Sequence, residues 1–458
     1  MVEPPAGHRF DVVVAGGRVM DPASGYDGVA DVGIDGATVA AIAPSPGPRL
    51  AGRRRIDASG LVVAPGFIDL LSYDPNPFGI WFKIADGVTT NLGMHGINAE
   101  AEAWLDRWSS EGVPTHFGGA FDDPWARDQL GIAPHQAATP DQVRELAARA
   151  EAGLAGGWMG IDIEPEYTPG IETAEIDALG HVAARAGVPL FFHGRYSDVE
   201  PPGTNADTLD EILGTARRTG AAVHVEHIVS TGGTFSMEDS LATLDAARAE
   251  GVDVTACTYP YDFWATYLGS ARFDPGWQDR FRIGFGDLQV AGTDERLTAR
   301  SFERHRADNR LAVAYAIPEA DVRLALAHPY VMVGSDSIIE PGANNHPRGA
   351  GAFARVLGRY VREEETLSLM DALAKMTWLP ARRLQAGAPA LGRKGRLQIG
   401  ADADVTVFDP RTVADRATVA DPAQASTGMR WVLVSGRVVK SPDGLQRDEL
   451  PGQPLRSA

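Results

Sequence analysis

From about Gly87 to Leu384 the sequence alternates short apolar β-type runs with amphipathic helical ones, and this alternation is what most narrows the folds open to it. "GVTTNLGMH" is followed by the helical "AEAEAWLDRWSSEG" and "TPDQVRELAARAEAGLAGG". Strand "VPLFFHGR" then leads to helix "TLDEILGTARRTG", strand "AAVHVEHIVS" to helix "SLATLDAARAEG", and strand "VDVTACTYPY" to an irregular stretch. Strand "HPYVMVGSDS" and the helices "GAFARVLGRYVREEE" and "LSLMDALAKMTWLPARRL" complete the pattern. Strand and helix alternating over roughly 300 residues argue for a parallel sheet with helices outside it, closed into a (β/α)8 TIM barrel. Groups that do chemistry should then lie at the C-terminal ends of the strands.

Both ends of the chain have a different texture. "FDVVVAGGRVMD", "ADVGIDGATVAAIAP" and "RRIDASGLVVAPG" are short strands punctuated by Gly, Asp and Pro, and "GADADVTVFDP" and "MRWVLVSGRVVKSPDG" repeat this near the C-terminus. The expected organisation is a small β-sandwich assembled from residues 1–63 and 391–458, the latter including a tail read as an extended arm, around a barrel at 64–390. The stretch at about 263–315 is too long for a simple loop and reads as an inserted lid or subdomain.

Composition removes several classes of partner. Lys+Arg number 42 against 61 Asp+Glu, a formal net charge of −19, so nucleic acid and anionic membranes are poor partners. The single cysteine, Cys257, excludes an internal disulfide and any four-cysteine zinc site. No basic and apolar leader opens "MVEPPAGHRFDVVVAGG", and no apolar run approaches bilayer length, so a cytoplasmic location is expected. A small-molecule substrate is the expected partner, and assembly into a homo-oligomer stays open.

Three of the 11 histidines and one carboxylate close strand-like runs. His95 ends "TTNLGMHG", His193 ends "VPLFFHGR", His227 ends "AVHVEHIVS" and Asp336 ends "YVMVGSDS". Imidazoles converging from separate strands make a zinc site with an open position. Asp336 is placed to take a proton from water and pass it to a leaving group. By strand parity His224 faces away from His227 and is read as a packing or supporting residue, and Glu226 is expected to point away from the site. Arg195, two residues after His193, shares its face and is a candidate for a substrate anion or a surface salt bridge. His8, His116, His135, His181 and His305 read as ordinary surface residues.

The chain resembles the amidohydrolase superfamily and, within it, the N-acyl-D-amino-acid deacylase (D-aminoacylase) family. "APGFID" is a landmark shared across the superfamily, "DGVTT" and "VEHIVSTGG" follow in the family's order, and the "HPRGAGAFARVLGRYVRE" block with "EYTPG" and "YPY" is specific to the narrower group. The resemblance implies a β-sandwich with a zinc-bearing barrel, a tightly held zinc on His193, His227 and the residue at the position of His95, and Asp336 as the catalytic carboxylate. It implies a substrate-carboxylate grip from Arg348 and from Tyr261 or Tyr259. It also brings out departures. Leu71 and Tyr73 stand where the family has a His-x-His pair, so one zinc ion is expected rather than two, with Tyr73 turned into the pocket. His95 replaces a cysteine, and Val229 replaces a lysine of the grip. The implied activity is hydrolysis of the amide of an N-acyl amino acid or a related carboxylate-bearing amide. Two readings stand beside it: a zinc-dependent lyase, cyclase or epimerase on the same scaffold, and a metal-free homologue without catalysis.

Overall fold

A computed structural model describes residues 8–47, 49–342 and 345–458; residues 1–7, where the stretch read as leaderless begins, lie outside the described part. Among the described residues eight parallel strands line one barrel: Phe67–Asp69, Val88–Gly93, His116–Gly119 continued by Phe121–Asp122, Ile161–Ile163, Leu190–Phe192, Val223–Val225, Val254–Thr258 and Val331–Val333. The first and last meet where the Asp336 N–H donates to the Leu71 carbonyl at 2.7 Å and the Ser335 N–H to Asp69 Oδ1 at 2.9 Å. Lys83 locks this seam from inside, donating to Asp69 Oδ2 (2.7 Å), Ser335 Oγ (2.5 Å) and the Ser337 carbonyl (2.6 Å).

The strands are short because each must tilt through a packed interior rather than span an open pore. Ile68, Leu70, Leu71, Leu92, Phe191, Cys257 and Met332 fill that interior, all buried, and Ala381, Leu384 and Leu391 close it from below. The outer helices arise from local chemistry. Pro140–Ala155 begins with Thr139 Oγ1 accepting from the Gln142 N–H, carries proline at its first position, and turns Leu146, Ala150, Gly153 and Leu154 inward at helical spacing.

Among the described residues both end regions of the sequence join one nine-stranded sheet folded over on itself as a β-sandwich. Its centre is the antiparallel pairing of Val62–Pro65 with Val405–Phe408, which splices the two ends together. Val14, Val19, Val32, Ile34, Val405 and Leu433 pack between its layers. The tail does not project as a free arm: the Leu455 N–H donates to the Phe117 carbonyl at 2.7 Å, and the Leu455 side chain joins the barrel's interior cluster.

Between the seventh and eighth barrel strands the chain builds a three-stranded antiparallel sheet from Trp264–Tyr267, Leu288–Val290 and Leu311–Ala314. Trp264, Phe273, Trp277, Phe281 and Phe302 form its aromatic core. Among the described residues no helix is long and apolar enough to cross a membrane.

Candidate active site

The C-terminal strand ends surround a cavity of about 640 Å³ lined by Tyr73, His95, Asp122, Glu164, Tyr167, Asp336 and Arg348, with Thr266 and Tyr267 arriving from the inserted sheet. His95, His193 and His227 meet at its base, their rings 4.7–6.0 Å apart. Each is held differently. His193 Nε2 lies 2.8 Å from Glu166 Oε2, which leaves Nδ1 buried and without a hydrogen-bond partner. Glu166 is in turn fixed by Ser197 Oγ at 3.0 Å and by Arg272 Nη1 at 3.0 Å, and Arg272 lies on the face of Trp264. The inserted sheet therefore reaches the site through Arg272.

His227 comes after the sixth strand in the left-handed region, at φ 22°, a conformation non-glycine residues adopt only when their surroundings impose it. Its N–H donates to Cys257 Sγ at 3.3 Å, its Nδ1 lies 3.3 Å from Thr231 Oγ1, and its Nε2 faces Asp336 Oδ2 at 3.7 Å. Burial, the largest influence on each, holds His193 below and His227 well below the usual imidazole range. Neutral imidazole is the form that binds a metal.

Glu226 is turned into the site, contrary to the expectation from alternation. The strand ends at Val225, and beyond it strict alternation no longer governs where side chains point. Glu226 continues the inward face of His224, which packs in the barrel interior against Phe191 and Thr255, and the positive φ of His227 swings the next side chain back to the same side. Donor atoms of His95, His193, Glu226 and His227 all lie within 4.8 Å of one another. Unpartnered buried nitrogens and carboxylate oxygens at that spacing fit a zinc ion, which takes N and O ligands of this kind.

Asp336 is also in the left-handed region, at φ 49°. It accepts from the Tyr73 hydroxyl at 3.1 Å and pairs with Arg348 Nη2 at 2.7 Å. Burial works to raise its carboxyl, but Arg348 and the three histidines outweigh that and hold it well below the usual range. Tyr73 thus does stand at the mouth, its ring edge toward His95, while Leu71 is buried in the interior against Gly334. His95 Nδ1 faces Glu226, Asp162 and Glu164. Burial opposes a charge on this ring, yet Glu164, Tyr73, Glu226 and Asp162 together raise it well above the usual range. The same field favours any cation placed there.

Three expected roles are altered. Arg195 is spent on Glu211 at 2.8 Å and on the carbonyls of Pro169 and Ile171, and it lines a separate cavity of about 540 Å³ rather than the site. Tyr259 lies beneath the Arg348 guanidinium, 4.5 Å from ring centre to Cζ, and near His227. Tyr261 packs under Arg355 and against the edge of His346, outside the cavity lining. Two histidines read as surface residues are buried as well. His116 pairs with Asp404 at 3.0 Å at the sandwich junction, and His305 with Glu295 at 3.1 Å. The signal for the missed acids was present in "GIDIEPEYTPG", where Asp162, Glu164 and Glu166 alternate through a strand's C-terminal end.

Residues 270–440 match the amidohydrolase family. Over 470 residues, 94% of each chain, the protein is 36% identical to an N-acyl-D-glutamate deacylase of Alcaligenes xylosoxydans xylosoxydans. A D-aminoacylase of the same organism is 30% identical, again over 94% of each chain. The crystal structure of N-acyl-D-glutamate deacylase from Bordetella bronchiseptica, complexed with zinc and a phosphonate mimic of the tetrahedral intermediate, superposes with a TM-score of 0.83 at 30% identity. It covers 98% of this chain and 100% of that one.

Proposed function

Because this chain belongs to the D-aminoacylase-like family of amidohydrolases, we propose that it is a zinc-dependent hydrolase that cleaves the amide of an N-acyl amino acid to a carboxylate and an amine. The observation that carries this reading is the set of buried, unpartnered donors on His95, His193 and Glu226 beside His227, with Asp336 3.7 Å from the His227 ring. These four residues would hold a zinc ion, which when bound would supply a Lewis acid for the acyl carbonyl and lower the pKa of a bound water.

The remaining work falls to the chain's own groups. Asp336 accepts a proton from the attacking water as the new C–O bond forms. It returns that proton to the nitrogen as the C–N bond breaks. The Tyr73 hydroxyl and the Arg348 guanidinium hold the two oxygens of Asp336 in place. Arg348 is the one guanidinium lining the cavity among the described residues, so it is the group that would meet a substrate carboxylate. Sharing Arg348 with that carboxylate loosens its pairing with Asp336 and makes Asp336 a better base at the moment substrate is bound. Tyr259 supports the underside of Arg348. A cytoplasmic address accords with the lone, buried Cys257.

Amine release from a panel of N-acyl-D- and N-acyl-L-amino acids tests this reading. The zinc-loaded protein should hydrolyse at least one series. Asp336→Asn should lower kcat by about 10²–10⁴-fold with KM little changed, the range for loss of a general acid–base. Failure of the zinc-loaded protein to release amine from any amide would sink it.

A further inference from the structure

The strand ends hold more acid than one zinc ion accounts for. Asp162, in the fourth barrel strand, and Glu226 are fully buried, and Glu164 is 8% exposed. His95 Nδ1 lies 3.1 Å from Glu226 Oε2, 3.4 Å from Asp162 Oδ2 and 3.5 Å from Glu164 Oε1, without the alignment a hydrogen bond needs. Asp162 Oδ2 takes the Gly96 N–H at 3.1 Å, while Asp162 Oδ1 and both oxygens of Glu226 have no hydrogen-bond partner among the described residues. Atoms bound to one ion at 2.0–2.2 Å sit about 3.0–3.5 Å from each other. The spacing around His95 Nδ1 is of that kind.

Charge points the same way. Asp122, Asp162, Glu164, Glu226 and Asp336 are buried together around the cavity base, and the fixed cation among the residues lining it is Arg348. Carboxylates gathered this closely away from solvent favour a cation held among them. The first barrel strand contributes nothing to such a seat, since Leu71 lies in the interior and Tyr73 is engaged with Asp336.

We propose that His95, Asp162 and Glu164 form a second cation seat for a divalent first-row metal ion, with Glu226 lying between it and the ion held by His193 and His227. Two carboxylates and one imidazole suit Zn²⁺ and also the harder Mn²⁺. With both seats filled, His95 passes from the four-residue set of the single-ion site to the second ion, and His193, His227 and Glu226 serve the first, a His₂Glu set that leaves an open position for water or substrate. The inference rests on the hydrolase reading for its first ion, and its measurements are of metal content and position, so the two can fail separately.

Chelator-stripped protein is reconstituted with excess Zn²⁺ or Mn²⁺, gel-filtered and analysed for metal. Wild-type protein should retain about two equivalents, and the double variant Asp162→Asn/Glu164→Gln about one. Anomalous diffraction from metal-loaded wild-type crystals should show two peaks, one of them against Asp162 and Glu164. A wild-type content that stops at one equivalent, with His95 itself carrying the compensating proton, overturns the second seat and leaves the hydrolase reading standing. No retained metal overturns both. Should the double variant fail to fold, the wild-type map decides: a single peak, or a second peak away from Asp162 and Glu164, overturns the seat.

Discussion

At the scale of single residues, the site shows how a strand's last positions carry information that alternation does not reach. His95, His193, His227 and Asp336 could be found in the sequence because each closes an apolar run with a residue able to ligate or to move a proton. Glu226 could not, because its direction depends on where the sixth strand stops and on the left-handed backbone at His227, and neither is written in the periodicity. Glu166 carried a signal in the alternation of "GIDIEPEYTPG", but its role depends on Arg272, more than 100 residues away in the inserted segment. Held between His193, Ser197 and Arg272, Glu166 fixes which ring nitrogen of His193 is free. Glu166→Gln should therefore weaken zinc binding about 10–100-fold, the usual effect of losing a partner that orients a ligating histidine. Competition with a chromophoric chelator measures this, with unchanged zinc affinity as the contrary result.

At the scale of elements, alternation gave the barrel its strands and helices, and length exposed the inserted segment. Which elements touch across the ring was less visible. The Asp of "APGFID", Asp69, points to Lys83, and through it the first strand is tied to the turn that carries Asp336. Lys83 and Asp69 are 2% and 0% exposed, so removing one strands the other without solvent. Lys83→Met should cost about 3–5 kcal/mol of stability, the penalty for leaving a buried partner uncompensated. Denaturant unfolding followed by tryptophan fluorescence reads it as a lower midpoint. A midpoint equal to wild type would show that the seam holds without this pair.

At the scale of the whole molecule, the junction of sandwich and barrel is electrostatic at its centre. Asp404 accepts from Lys394 Nζ at 2.8 Å and the Ser435 N–H at 2.9 Å, and its Oδ1 lies 3.0 Å from His116 Nε2. Burial pushes this carboxyl up, but His116 and Lys394 outweigh it and hold it far below the ordinary aspartate range. A carboxyl depressed in the folded state adds stability above its unfolded pKa of about 3.9 and loses it as pH falls toward the folded value. Wild-type Tm should therefore drop steeply below about pH 4. Asp404→Asn should be less stable at pH 7 and show a shallower fall through that window. Calorimetry across pH 3–7 checks both, and parallel curves for the two proteins would remove Asp404 from the account. From sequence His116 looked like a surface residue because its partner lies nearly 300 positions later.

The splice between the two chain ends also sets a timetable for biosynthesis. Val62–Pro65 leaves the ribosome about 340 residues ahead of its antiparallel partner Val405–Phe408, roughly 17–70 s at ordinary translation rates. Throughout that interval the strands between Phe10 and Pro65 can pair among themselves but present an unfilled edge on Val62–Pro65. The nascent chain therefore passes its longest vulnerable period with its most β-rich segment already made and unfinished. Slow elongation or crowded polysomes should be felt first as aggregation through that N-terminal edge.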